Sequence, residues 1–172
     1  MIVKKKIMTE KQIKFEKRVS IEQVEEGISL SPKFDKTGVI PCITVHAKTK
    51  EVLMFAYMNE EAMKLTISSG FAHYWSRSRK SLWKKGETSG MFQKVERILI
   101  DDDQDSIVIE VLLGEPTKGG REASCHVGYR SCFYRSIPIG ESKDKIALKF
   151  IEKEKSFDPD KIYEGHENPT KL

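Results

Sequence analysis

The chain has 172 residues, 38% of them hydrophobic and 33% charged, with a formal net charge of +4 at neutral pH. That balance suits one domain with extensions and a modest core, and no apolar run approaches the roughly 18 residues that a membrane span needs. Residues 1–18 hold seven basic and two acidic side chains, leaving 23 basic and 24 acidic groups elsewhere, so the basicity sits in a tail and marks out no nucleic-acid-binding face.

No apolar stretch long enough for a secretory signal follows the basic start, so a cytoplasmic protein without a membrane partner is expected. Three cysteines, Cys42, Cys125 and Cys132, cannot all pair within one chain, which points to reduced thiols. In chain order, residues 1–19 read as a basic extension. Ser20-Ile21-Glu22-Gln23 is a capping box that opens a short helix ending near Gly27. Residues 32–38 read as loop, and 39–45 and 52–57 as strands joined through Lys48-Thr49-Lys50, with Cys42 buried in the core. Asn59 caps a helix with Glu60 and Glu61 at its positive end and Gly70 as its stop.

Residues 71–76 are strand-like, and 76–90 form a polar, basic segment. Strands at 95–100 and 107–113 flank an acidic cluster, 113–127 is a loop, and 132–139 suits a further strand. Residues 141–172 are a charged extension, with one strand or helix at 146–151 and a poorly ordered tail over 156–172. Many short strands and few helices predict an α+β domain over 20–140, on a folded, pseudo-barrel-like mixed or antiparallel sheet.

Three stretches carry chemistry. Asp101, Asp102, Asp103 and Asp105 put four carboxylates into five positions. On an extended backbone Asp101, Asp103 and Asp105 share a face, where a hard cation such as Mg²⁺ would relieve their repulsion. A solvated acidic turn is the alternative. Cys125-His126 with Cys132 sets two thiols and an imidazole within eight residues, a soft donor set that suits Zn²⁺. Two core cysteines and a hydrogen-bonded histidine would give the same pattern. The third stretch, from His73 to Gly90, mixes arginine, lysine, hydroxyls and glycine with tryptophan. A phosphate-and-base site, a basic surface loop and an RNA patch all remain open for it.

Taken together, these stretches resemble the phosphoribosyl-AMP cyclohydrolase family over residues 34–135. The matching pieces are Gly38-Val39-Ile40-Pro41, the run from Glu51 to Ala62, that from Ala72 to Arg79, Leu82-Trp83, and Lys85 to Gly90. They continue with the aspartate cluster, Cys125-His126 and Ser131-Cys132-Phe133-Tyr134. The resemblance implies a dimeric enzyme of histidine biosynthesis in its monofunctional form. A zinc-activated water would open the six-membered ring of phosphoribosyl-AMP at its C6–N1 bond.

The resemblance further implies Mg²⁺ on Asp101, Asp103 and Asp105. Zn²⁺ would be held across a homodimer interface by Cys125, Cys132 and the residue at position 102. His126 is then the expected proton shuttle. Trp75, Arg77, Arg79, Trp83, Lys85, Thr88, Ser89 and Gly90 are the expected contacts to the nucleotide. The chain departs from the family where Val45-His46 replaces a Gln-Asp pair, and where Asp102 replaces a cysteine. Three readings of Asp102 stay open: an oxygen ligand to zinc, a mark of a paralog acting on another purine nucleotide, or a mark of an inactive binding homologue.

Overall fold

Side chains that alternate between core and solvent build the central sheet. Residues 9–140 and 145–166 are described in a computed structural model. The parts of the two extensions at 1–8, 141–144 and 167–172 lie outside these residues. Strand β1 (Val39–His46) turns Ile40, Cys42, Thr44 and His46 inward, and Ile43 outward. Strand β2 (Val52–Asn59) pairs with it antiparallel, and β6 (Ile107–Leu113) pairs with it parallel from Cys42 onward. Pro41 donates no backbone hydrogen bond, and it stands one residue before the pairing with β6 begins. Strand β5 (Gln93–Ile100) closes the order β2-β1-β6-β5.

The fold is therefore α+β with a mixed sheet, as expected, but the sheet is open and not the expected pseudo-barrel. Instead of continuing it, β3 (His73–Ser76) and β4 (Ser81–Lys84) form a separate antiparallel hairpin. Tyr74 anchors this hairpin to the core. Its ring is fully buried against Trp83, with centroids 4.9 Å apart. Its hydroxyl donates to Gln93 at 2.6 Å and lies 2.8 Å from the Thr44 hydroxyl, so the buried polar tip is satisfied.

The helices follow their sequence signals. Helix α1 (Ile21–Glu25) has Ser20 as N-cap, accepting from the Gln23 N–H. Helix α2 (Glu60–Ser69) starts at Asn59, whose side chain accepts from the Ala62 N–H, and stops at Gly70. Ala62, Met63 and Thr66 pack its inner face toward β2 and β3.

Two expectations need correction. The strand expected over 132–139 is reduced to β7 (Arg135–Ser136), paired with β8 (Lys149–Phe150). The tail expected over 156–172 is folded as far as it is described. Asp158 caps a short helix, α3 (Pro159–Ile162), and Phe157 and Ile162 are buried in a second small core with Met91 and Ala123. Among the described residues no helix is long and apolar enough to cross a membrane.

Candidate active site

The hairpin and the loop that carries Cys125 and Cys132 face a common cavity of about 1210 Å³. From the hairpin, Trp75, Arg77, Arg79 and Trp83 line it, followed by Lys85, Thr88 and Ser89. From the cysteine loop come His126 and Cys132. Nine of the sequence-predicted residues thus converge, although the stretches that carry them are far apart in the chain. Gly90 stands behind the wall. Its φ of +77° and its close approach to Glu115 and Thr117 make it a backbone packing position, since a Cβ there would lie 2.6 Å from the Thr117 methyl.

The cysteine loop is held from two sides. Ser124 and Cys125 donate backbone N–H groups to Arg130 and Tyr129, which folds 124–130 back on itself. The Cys132 N–H donates to Leu53 at 2.7 Å, and the Ser131 hydroxyl to Val52 at 2.7 Å, which pins the second cysteine to β2. The Arg130 guanidinium bridges Glu51 and Glu122 at 2.8 and 2.6 Å.

Interaction with Cys132 lowers the Cys125 thiol to about 7 against the upward push of burial, helped by the Val127 N–H and by Lys85. The same interaction and burial push Cys132 upward. Two neighbouring thiols of which one ionises readily form a soft donor pair that suits zinc. Cys42 differs. It is fully buried, and burial pushes its thiol to about 12, so it is a core residue as expected.

Lys85 belongs to this pair more than to open solvent. Its ammonium is buried, donates to the Ser124 carbonyl at 2.6 Å, and is lowered by burial while both thiols pull it back up. Ser124 in turn accepts from the Gln93 amide at 3.0 Å. A buried polar thread therefore runs Thr44–Tyr74–Gln93–Ser124–Lys85, from the sheet to the cysteines. The sequence reading missed Gln93, Ser124 and Tyr57. Tyr57 lines the cavity and carries the Arg77 guanidinium over its ring at 3.9 Å.

The acidic stretch is elsewhere. It is a turn and not an extended strand, because Gln104 takes a φ of +58°. The turn still brings ligand atoms of Asp101, Asp103 and Asp105 within 4.8 Å of one another, an oxygen-only set that suits a hard cation. The Asp101 carboxylate already accepts from the N–H groups of Asp105 and Ser106 and from the Ser106 hydroxyl. The Lys33 ammonium lies 2.9 Å from Asp103 and 3.0 Å from Asp105. Asp102 is exposed and, with Asp101, lines a smaller cavity of about 330 Å³ beside α1. One chain does not bring Asp102 and the cysteines into the same cavity.

The family model for phosphoribosyl-AMP cyclohydrolase matches residues 54–134, which spans the hairpin, the acidic turn and both loop cysteines. A phosphoribosyl-AMP cyclohydrolase of Rhodopseudomonas palustris (strain HaA2) is 49% identical over 144 residues, 84% of this chain and 93% of the relative. The chain belongs to the phosphoribosyl-AMP cyclohydrolase family. A relative of the same name from Nitrobacter winogradskyi is 45% identical over 84% of this chain and 94% of its own length. One from Sinorhizobium fredii is 44% identical over 82% and 88%. Membership in this enzyme family gives the cavity a nucleotide to be read against.

Proposed function

We propose that the chain hydrolyses phosphoribosyl-AMP, opening the purine six-membered ring at C6–N1 in histidine biosynthesis. The observation that carries this reading is the convergence of the hairpin's Trp75, Arg77, Arg79 and Trp83 with His126 and Cys132 on one cavity, in a chain of this family. The N1 phosphoribosyl group leaves the ring cationic, so C6 is electrophilic before any catalyst acts. Oxygen from water adds to C6, the C6–N1 bond breaks, and the oxygen remains as the carboxamide of the opened product while a proton passes to N1.

In this reading Trp75 and Trp83 offer faces for the base, and Arg77, Arg79 and the Thr88-Ser89 turn meet phosphate oxygens. The buried Lys85 ammonium favours the charged form of the neighbouring thiols. His126, next to Cys125 and lining the cavity, carries the proton toward N1. Cys125, Cys132 and Asp102 would hold zinc, which when bound would supply the Lewis acidity that makes water a competent nucleophile near neutral pH. Asp101, Asp103 and Asp105 would hold magnesium, which would offset their charge. The separation of Asp102 from the cysteines within one chain supports a homodimer in which Asp102 comes from the second copy. The setting is cytoplasmic, and the partner is a small nucleotide, not a nucleic acid.

The test is turnover. Metal-loaded protein should convert phosphoribosyl-AMP to the ring-opened carboxamide, and a zinc-specific chelator should abolish the reaction. Protein with full metal content and no product would overturn the reading.

A further inference from the structure

We propose that the segment from Glu152 to Tyr163, outside the stretch matched by the family model, forms a wall of the substrate cavity, and that Lys155 binds a phosphate of the substrate there. This rests on the nucleotide-hydrolase reading above.

The segment is attached to the cysteine loop at several points. The Glu152 carboxylate accepts the N–H groups of Arg130 and Ser131 at 2.8 and 3.0 Å, immediately before Cys132. The Ser156 carbonyl accepts from the Arg121 N–H at 2.8 Å, and the Ser156 N–H donates to Gly128 at 2.7 Å. Phe157 then enters the small core with Met91 and Ala123. These bonds set the backbone of residues 152–157 directly over 121–131.

Lys155 follows from that docking. Gly128 has a φ of +107°, and a Cβ there would lie 3.0 Å from the Lys155 stem and 2.8 Å from the Phe157 carbonyl. The bare glycine lets the aliphatic stem lie across the turn after Cys125-His126, and the residue joins the lining of the cavity. Tyr163 completes the wall. It lines the same cavity as Ser89, a residue at the expected phosphate end of the hairpin segment. A substrate with two phosphates needs cationic groups from more than one element. Arg77 and Arg79 come from the hairpin, and Lys155 comes from the wall.

The experiment compares steady-state kinetics of the metal-loaded full chain with those of three variants. Lys155→Met keeps the stem and removes the charge. Its KM should rise roughly tenfold, the scale of one charge-assisted hydrogen bond, with kcat within about twofold. Lys155→Arg should hold KM close to wild type, and Lys153→Met, at an exposed position that does not line the cavity, should change neither constant. An unchanged KM in Lys155→Met overturns the proposal, as does an equal loss in Lys155→Arg, which would mean packing and not charge. If wild type turns over no phosphoribosyl-AMP, the functional reading has failed and the wall is judged separately. Both tryptophans of the chain line the cavity, so their fluorescence is then titrated with inorganic phosphate. A midpoint displaced in Lys155→Met keeps the phosphate subsite. Equal midpoints, or no response in wild type, remove it.

Discussion

In the cysteine loop the buried polar groups point at one another and at a cavity, whereas in the acidic turn the carboxylates point at their own backbone and at a lysine. Both regions were singled out by clustered metal-binding residue types, yet their surroundings differ. Around Cys125 the buried Lys85, Ser124 and Gln93 are all hydrogen-bonded, leaving the two sulfurs as the groups with capacity to spare. Around Asp101, neutralisation is already supplied from within by three donors and by Lys33. Cys125 is buried and Cys132 opens onto the cavity, a placement that suits a shared ligand. An exposed turn with its own counter-ion can exist with or without one.

The sharpest way to break this comparison is to remove a sulfur. Cys125→Ser and Cys132→Ser should each lose bound transition metal and lower kcat/KM on the order of a thousandfold, since Lewis-acid stabilisation is worth several kcal/mol. Serine stays protonated near neutral pH and cannot replace the thiolate. Unchanged metal stoichiometry, read by elemental analysis of both variants, would take the cysteines out of the site.

Whether the two regions meet in an assembly is open to a mixing test. Asp102→Ala and Cys125→Ser proteins, each inactive alone, should regain about a quarter of wild-type activity when co-refolded in equal amounts. Half the dimers are then hybrids, and each hybrid rebuilds one of its two sites. An active species that sediments as a monomer at assay concentration would contradict the shared site.

Much of this was legible in the sequence, for reasons that particular residues show. Ser20, Asn59 and Gly70 act through local geometry, and local geometry is what a short pattern encodes. The β4 strand escaped because Ser81–Lys84 is short and sits in a basic, polar stretch. Helix α3 carried a usable signal, Asp158 followed by Pro159 at the first helical position, hidden by charged composition. Gln93 and Ser124 had none, since their hydrogen bond joins residues 31 positions apart. Asp101, Asp103 and Asp105 come together in space through a turn at a left-handed Gln104 and not through the extended backbone expected. That Gln104 is buried, accepting from Ser31 and donating to Val24 and Ser29, a tertiary fact invisible at its own position.

A finer test concerns Asp102 alone. Asp102→Cys should tighten zinc, because thiolate is the softer donor, and chelator competition should move to higher chelator concentration. Asp102→Ala should weaken zinc without lowering the unfolding temperature, as the side chain is exposed and fills no core volume. Equal zinc affinity in all three proteins would show that position 102 does not face the metal.

The smallest effects are expected in the acidic turn itself, and they bear directly on its internal neutralisation. Burial raises the Asp101 carboxyl, but hydrogen bonds from Ser106 and Asp105 outweigh it and hold the group below its ordinary value of 3.8. A depressed folded pKa means stability that is present above the unfolded value and lost as pH falls through the folded one. Wild type should therefore lose stability at the acid end more steeply than Asp101→Ala, which should itself cost about 1 kcal/mol at neutral pH, below the usual range for bonds to a charged group because the turn faces solvent. Lys33 works in the other direction. Asp103 and Asp105 raise its ammonium above 10.5, so its contribution is present below that value and fades as pH rises through the higher one. Lys33→Met should leave Asp103 and Asp105 facing each other without a counter-ion, lower the unfolding temperature slightly in chelator, and regain it when Mg²⁺ is added. Calorimetric titration should find Mg²⁺ binding a few-fold tighter in Lys33→Met than in wild type, because the ion no longer displaces an ammonium. Equal Mg²⁺ affinity in the two proteins would mean that Lys33 and the cation do not share these carboxylates, and the contrast between a turn that neutralises itself and a cysteine pair that does not would lose its basis.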